Sequence, residues 1–86
     1  MTVRYEPLVT TSLAKQVAEK IRGSITDGQL KADDQLPTEE DLAQQFQVSR
    51  PTIREALKRL AAQSLIRSRR GPSGGTFVNR PSQEEV

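Results

Sequence analysis

Two amphipathic helix patterns with only a two-residue break between them constrain the fold of this chain more than any other feature. Thr38 is a preferred helix N-cap, and the apolar stripe that follows it ends at Phe46. Gln47 and Val48 break the pattern, and Ser49 then offers a second N-cap. Because the break is so short, the sequence predicts two helices joined by a tight turn.

The second of these helices has an apolar face and a separate basic face. Pro51 fits its first turn, where a missing N–H group costs no intrahelical hydrogen bond. Val48 and Ile53 have the spacing of a hydrophobic staple. At about 100° per residue, Arg54 and Lys58 lie on a different arc from the apolar positions. The positions that we expect to face the core are Ile53, Ala56, Leu57, Leu60 and Ala61.

A longer helix is predicted before this pair. Its apolar positions recur every fourth residue, at Leu13, Val17, Ile21 and Ile25. Thr11 or Ser12 is the expected N-cap, and Asp27 with Gly28 supplies the expected end.

A glycine-rich segment separates two short extended patterns near the end of the chain. The patterns cover residues 65–69 and 76–79, and residues 71–75 between them read Gly-Pro-Ser-Gly-Gly. This arrangement predicts a β-hairpin. Its expected inward contacts are Leu65, Ile66, Phe77 and Val78, and the side chains expected to stay outside are Arg67, Arg69 and Arg70.

Together these elements predict a mainly α fold with a small β-hairpin, a winged helix-turn-helix of three helices plus a two-stranded wing. The 86 residues suffice for one core. We expect an N-terminal arm at residues 1–10, the winged helix-turn-helix domain at 11–80, and a linker or tail at 81–86.

Basic charge is concentrated in the predicted second helix of the pair and the hairpin. The net charge is only +2, yet Glu55 is the one acidic residue between positions 50 and 80. The basic residues in the same range are Arg50, Arg54, Lys58, Arg59, Arg67, Arg69, Arg70 and Arg80. Such clustering indicates an anionic partner, with nucleic acid first. A helix fits the major groove of double-stranded DNA, and a thin hairpin can reach the minor groove.

The composition excludes several other classes. With no Cys and no His, the chain cannot form a disulfide, a zinc finger or a nucleophile activated by histidine. No apolar run approaches the roughly 18 to 20 residues of a membrane span or resembles a signal peptide, so we expect a cytoplasmic protein without membrane contact. Glu39, Glu40 and Asp41 suit a helix start without any chemistry. The chain is therefore expected not to be an enzyme.

Two alternatives to specific DNA binding remain open. A winged-helix module that binds proteins would present an exposed apolar patch in place of a basic face. A nonspecific or RNA-binding module would need aromatic stacking platforms, and the chain offers only Tyr5, Phe46 and Phe77.

Three motifs carry a resemblance to a known family. They are Leu-Pro-x-Glu from Leu36, Val-Ser-Arg-x-Thr-x-Arg-Glu-Ala-Leu from Val48, and Gly-Gly-Thr-Phe-Val from Gly74. Residues 36–78 thereby resemble the DNA-binding domain of GntR-family bacterial transcription regulators, and the wing looks most like that of the FadR-type subfamily.

The resemblance implies binding to palindromic operators as a homodimer, with a monomer or weak dimer when the chain is free. It also implies repression that ends when a small-molecule effector binds a C-terminal domain, which we expect to lie outside this chain. No cofactor is expected within the chain itself.

Carried over residue by residue, the resemblance also implies which side chains contact DNA. They are Ser49, Arg50, Thr52 and Arg54 in the recognition helix, and Arg70 and Gly71 in the wing. Arginine can donate two hydrogen bonds to guanine, whereas the hydroxyls suit phosphate, although Ser49 is first of all an N-cap. For Arg50 and Arg54 the alternative is a solvated surface position, or for Arg54 an ion pair with acidic neighbours at the start of the preceding helix.

Three further residues join this candidate site, and one position departs from the family. Lys58 is expected at phosphate, Arg69 beside Arg70 in the wing, and Thr38 at a phosphate near its helix N-terminus. Glu40 stands where family members commonly have an arginine that meets DNA. A carboxylate there would repel phosphate or accept from a cytosine amino group, but we favour a role in stabilising the helix N-terminus. The sequence preference is therefore expected to differ from that of typical relatives.

Overall fold

Three helices followed by one hairpin form the structure, a computed structural model that describes residues 8–72 and 74–80, with side chains from residue 12 onward. The elements are α1 (Leu8–Thr26), α2 (Glu39–Phe46), α3 (Arg50–Ala62), β1 (Ile66–Arg69) and β2 (Gly75–Val78). The predicted fold class, a winged helix-turn-helix, is confirmed. Among these residues no helix has an apolar stretch long enough to cross a bilayer.

The beginning of α1 differs from the prediction, whereas its end agrees. The helix starts at Leu8, so the expected N-cap at Thr11 or Ser12 is wrong. The pattern of an apolar residue at every fourth position extends back to Val9 in the sequence. Serine and threonine inside a helix cost only a few tenths of a kcal/mol each, so they do not end it. Gly28 has a positive φ of 86° directly after the helix, as the predicted stop requires. Residues 1–7 of the predicted arm and the predicted tail at 81–86 lie outside the described residues.

The core lies mainly between α1 and α3, with α2 and the hairpin closing its sides. Its buried apolar residues are Ala14, Val17, Ala18, Ile21, Leu36, Leu42, Ile53, Ala56, Leu60, Ile66 and Val78. Leu57 is half-buried against this core. Ala61, predicted as a core position, is exposed, because it lies at the edge of the apolar stripe of α3. The core therefore fixes α3 by one face and leaves the opposite face to solvent.

The hairpin is antiparallel, and one of the residues predicted to face inward, Phe77, does not. Ile66 pairs with Val78, and Arg67 pairs with Phe77. Ile66 and Val78 are buried, but Phe77 is only partly buried and lies beside the guanidinium groups of Arg67 and Arg69. The prediction that Phe77 faces the core is therefore wrong. Successive strand residues point to opposite faces, so Phe77 and Val78 cannot both face the core.

The loop before α2 pairs with the wing and fixes its position. The backbone N–H of Leu36 donates to the carbonyl of Thr76 at 2.8 Å. Asp33 and Asp34 exchange two further backbone hydrogen bonds with Val78, each of 2.8 Å. The wing is thus attached to the loop that precedes α2 as well as to α3.

Asp33 holds the same junction through its side chain. Its Oδ1 accepts from Arg67 Nη2 at 2.9 Å, and its Oδ2 accepts from Arg80 Nε at 3.0 Å. Arg67 Nη1 also donates to the carbonyl of Val78 at 2.9 Å and to Asn79 Oδ1 at 3.1 Å. The hydrogen bond from Arg67 is the main cause that lowers the pKa of Asp33, Arg80 adds to the effect, and desolvation opposes it. Arg67, expected to stay outside, is instead tied into the base of the wing.

We expect Asp33→Asn to reduce the free energy of unfolding at neutral pH and to have no effect in strong acid. The pKa of Asp33 is lower in the folded state than in the unfolded state, where it is about 3.9. The stabilisation is therefore present above that value and is lost as the pH falls through the folded pKa. Urea unfolding of both proteins at about pH 7 and about pH 2 measures the difference.

Asp27→Asn is the matched control, because the carboxylate of Asp27 makes no ion pair within residues 12–72 and 74–80. A difference between wild type and Asp33→Asn that is the same at both pH values would contradict the ion-pair role.

Candidate nucleic-acid interface

A tight turn with one left-handed residue sets the angle between α2 and α3. Gln47 has φ 57° and ψ 48°, the αL conformation that often ends a helix. The next N–H group, of Val48, donates to the carbonyl of Ala43 at 3.0 Å. The chain then enters α3 directly, which confirms the predicted helix-turn-helix.

Ser49 and Thr52 together build the N-terminus of α3. Ser49 Oγ accepts from the backbone N–H of Thr52 at 3.3 Å, which confirms Ser49 as the N-cap. The two hydroxyl groups are also hydrogen-bonded to each other at 2.9 Å. Thr52 is only 2% exposed. The Thr52 side chain therefore supports the cap from inside, and Ser49 is the exposed member of the pair.

Arg54 lies on the outward face of α3 and is held by the start of α2. Its Nε donates to Glu39 Oε1 at 3.2 Å. The alternative predicted for Arg54, an ion pair with the preceding helix, thus exists in the structure. The hydrogen bond uses Nε, so the two terminal amino groups of Arg54 take no part in it. The Arg54 side chain is 60% exposed. Glu39 thus positions the arginine through Nε, and the terminal amino groups stay available as donors.

Arg50 faces the neighbouring carboxylate in a looser arrangement. Its Nη2 lies 3.6 Å from Glu40 Oε1, an ion pair that is too long for a hydrogen bond. Both side chains are more than half exposed. Exposed ion pairs of this kind contribute about 0 to 1 kcal/mol, so Arg50 can leave Glu40 at little cost.

A shallow groove separates α3 from the wing. Arg54 and Lys58 line it from α3, and Ser68 and Thr76 line it from the hairpin. Lys58 is exposed and lies one turn beyond Arg54 on the same face. Basic side chains therefore continue from the N-terminus of α3 towards the wing.

The tip of the wing is shaped by two glycines. Gly71 has φ 102°, a conformation that other residues rarely adopt, and its carbonyl accepts from the N–H of Gly74 at 2.8 Å. A Cβ atom at Gly74 would overlap the carbonyl oxygens of Arg69 and Gly71. Arg70 directly precedes this turn and is exposed. The turn thus presents Arg70 and bare backbone together.

Arg69 stands beside Arg70 but has its own neighbour. Its guanidinium carbon lies 5.1 Å from the centre of the Phe77 ring. Within residues 12–72 and 74–80, neither Arg69, Arg70 nor Lys58 makes an ion pair. Their charges are therefore available to an anion.

Comparison with known proteins places this arrangement in a family. The family model described as bacterial regulatory proteins, gntR family, matches residues 13–78, more than half of the chain. The chain belongs to the gntR family. This also confirms that the domain belongs to a class of regulatory proteins and not of enzymes.

Several curated proteins are similar to this gntR-family chain. The arabinose metabolism transcriptional repressor of Geobacillus stearothermophilus is 41% identical over 70 residues, which cover 81% of this chain and 19% of the repressor. The mannosyl-D-glycerate transport/metabolism system repressor MngR of Escherichia coli is 46% identical over 66 residues, 77% of this chain and 27% of MngR. The chain thus spans less than a third of the length of these relatives.

A solved structure extends the similarity to three dimensions. The AraR DNA-binding domain in complex with an operator matches this gntR-family chain with a TM-score of 0.70 and 39% identity. The match covers 91% of this chain and 87% of the other. The fold of the two proteins is therefore the same over nearly the whole chain.

The structure places the predicted site residues of this gntR-family domain in two groups. The exposed residues are Ser49, Arg50 and Arg54 at the start of α3, Lys58 one turn later, and Arg69, Arg70 and Gly71 in the wing. Thr52 is buried, and Thr38 is the N-cap of α2, with its Oγ1 accepting from the N–H of Asp41 at 3.1 Å. The positioning role of Asp33 was not predicted, and for Arg54 an acidic partner on the preceding helix was expected as an alternative without naming Glu39. Only the acidic helix start gave a signal for Glu39, and nothing in the sequence indicated Asp33.

Proposed function

We propose that this domain binds double-stranded DNA with sequence specificity, as the operator-binding part of a bacterial transcription repressor. The observation that carries the proposal is the outward face of α3, where Arg50 and Arg54 project from a capped, core-anchored helix start. The N-terminal part of a recognition helix is the part that reaches base edges in the major groove. The similar AraR DNA-binding domain, which was solved in complex with an operator, supports DNA binding by this fold.

In this proposal the residues at the start of α3 have different tasks. Arg50 and Arg54 donate to guanine O6 and N7 in the major groove. Ser49 caps α3 and contacts a phosphate as a secondary role. For Thr52 a phosphate contact is the weaker proposal, because its hydroxyl is buried and bonded to Ser49. Thr52 then acts by holding the cap in place.

The remaining candidates position the domain on the duplex. Lys58 contacts a phosphate next to the groove between α3 and the wing. Arg69, Arg70 and Gly71 approach the minor groove from the wing tip. Thr38 is proposed near a phosphate at the start of α2, where three carboxylates in the first turn weaken anion binding.

The wider properties of the regulator are part of the same proposal. Two copies bind a palindrome as a homodimer and are monomeric or weakly dimeric when free. A small-molecule effector binds a separate C-terminal domain, and the protein acts in the cytoplasm. The FadR-type resemblance of the wing stays a prediction, because the relatives described above are named as other regulators.

Selection of bound duplexes from a random pool tests the proposed function. We expect enrichment of a short G·C-containing half-site that occurs twice with inverted symmetry and a fixed spacing. Recovery of unrelated sequences with equal efficiency would contradict specific recognition and favour a nonspecific nucleic-acid binder.

We expect Arg70→Ala to remove a preference for A·T-rich flanks beside the half-site. Narrow A·T-rich minor grooves concentrate negative potential. The turn at Gly71 presents Arg70 at the wing tip, which is proposed to approach that groove. The measurement compares the affinity of wild type and Arg70→Ala for operators with A·T or G·C flanks at one salt concentration.

The matched control is Arg22→Ala, which removes one exposed positive charge from α1. If wild type and Arg70→Ala respond to the flank by the same factor, Arg70 does not read the groove, and the wing only holds phosphate.

A further inference from the structure

The carboxylate of Glu40 lies beside Arg50, one of the two side chains proposed to read a base. Its Oε1 is 3.6 Å from Arg50 Nη2, and 68% of the Glu40 side chain is exposed. If Arg50 reaches a guanine edge, the Glu40 carboxylate is within one side-chain length of the neighbouring base pair. In the proposed complex Glu40 therefore shares the surface that faces the major groove.

Glu39 and Glu40, the first two carboxylates of α2, interact with different atoms of their arginine partners. Glu39 accepts a hydrogen bond from Nε of Arg54, which leaves the terminal amino groups available. Glu40 instead faces a terminal amino group of Arg50, the atom that would donate to guanine, without a hydrogen bond. Glu39 thus holds an arginine in place, whereas Glu40 competes for the donor itself.

Stabilisation of α2 alone does not account for the position of Glu40. Glu39 and Asp41 already place negative charge in the first turn of α2, and Thr38 caps the helix. Glu40 adds little to this, but in the proposed complex its negative charge would lie close to DNA, because it neighbours Arg50. That charge is unfavourable on DNA unless a donor meets it.

We propose that Glu40 is a specificity-determining residue that selects a cytosine next to the guanine read by Arg50. In the major groove the exocyclic amino group of cytosine is a hydrogen-bond donor, and carboxylates accept from it. On a matching site Arg50 leaves Glu40 for guanine, and the carboxylate accepts from the cytosine amino group. On any other site the carboxylate either has no hydrogen-bond donor to accept from or remains ion-paired with Arg50. The inference rests on the proposed function.

Glu40→Gln separates this role from a charge effect. The variant keeps the size of the side chain, removes the charge and adds a donor that suits adenine. We expect selection from a random pool to lose cytosine at one position, with discrimination at that position reduced about fivefold or more. We also expect affinity for unrelated DNA to rise about two- to fivefold, since the competing pair with Arg50 is gone.

Asp41→Asn is the matched control, because it removes the same charge from the same turn of α2. Asp41 makes no ion pair with α3 in the part of the chain that the structure describes. We expect this variant to bind unrelated DNA more tightly through its net charge but to select the wild-type operator unchanged. A loss of the same base preference in Asp41→Asn would assign the effect to the helix start and overturn the proposal for Glu40.

Two outcomes distinguish this inference from the proposed function. If wild type selects an operator and Glu40→Gln selects the identical one with the same discrimination, the role of Glu40 is refuted and DNA recognition stands. If wild type enriches no sequence at all, the proposed function fails, and the inference fails with it. Circular dichroism of each variant verifies that the helices are intact.

Discussion

Arg54→Ala and Arg50→Ala are each expected to weaken binding to the selected operator by about 1 to 3 kcal/mol and to relax base preference at one position. Both side chains lie on the solvent face of α3 and contribute no core contact, so folding should survive. The larger loss is expected for Arg54, because Glu39 already holds it in one orientation and less freedom is lost on binding. Binding-site selection and affinity measurements with each variant provide the test.

Lys58→Ala is the control for these two variants. Lys58 lies farther along α3, where a phosphate is the expected partner. Its loss should weaken binding to all sequences alike and lower the slope of log K against log salt by about one unit. An arginine variant that behaves like Lys58→Ala, with unchanged base preference, does not read a base.

Leu60→Ala is expected to reduce the free energy of unfolding by about 2 to 5 kcal/mol. Leu60 is fully buried at 0% exposure, in the face of α3 that packs against α1. Removing its methyl groups leaves a cavity that a small core cannot refill easily. A domain of this size has a free energy of unfolding of about 5 to 10 kcal/mol. The Leu60→Ala variant is therefore expected to unfold at a clearly lower temperature than the wild type. Urea or thermal unfolding monitored by circular dichroism measures the change.

Leu57→Ala is the matched control for this core substitution. It changes the same residue type in the same helix, but Leu57 is half-buried beside the groove to the wing. We expect about half the loss or less, because less apolar surface is removed from the interior. Equal losses in the two variants would contradict the assignment of Leu60 to the centre of the core.

The sequence predicted the elements whose signals are local. The caps at Thr38 and Ser49, the break at Gln47 and the stop at Gly28 act within one helical turn, so neighbouring residues are enough to infer them. The apolar spacing of α1 and α3 likewise predicted which faces meet. The error at the start of α1 has the same origin, since serine and threonine suit both a cap and a helix interior.

Strand patterns of four residues carried less information. Leu65, Ile66, Phe77 and Val78 are all apolar, but only alternation along paired strands decides which of them face the core. The register places Phe77 opposite Arg67 and on the outer face. Here the tertiary pairing, and not residue type, determined burial.

The sequence by itself determined the helix-turn-helix, the glycine-rich hairpin and the basic charge of α3 and the wing, because caps, periodicity and charge act over a few positions. Tertiary structure alone decided that Glu39 is the carboxylate that holds Arg54, that Arg67 is tied to Asp33 and that Thr52 is buried. The first two contacts join residues 15 and 34 positions apart in the chain. Such partners are chosen by the packing of α2, α3 and the wing around one core, and a local pattern contains no information about them.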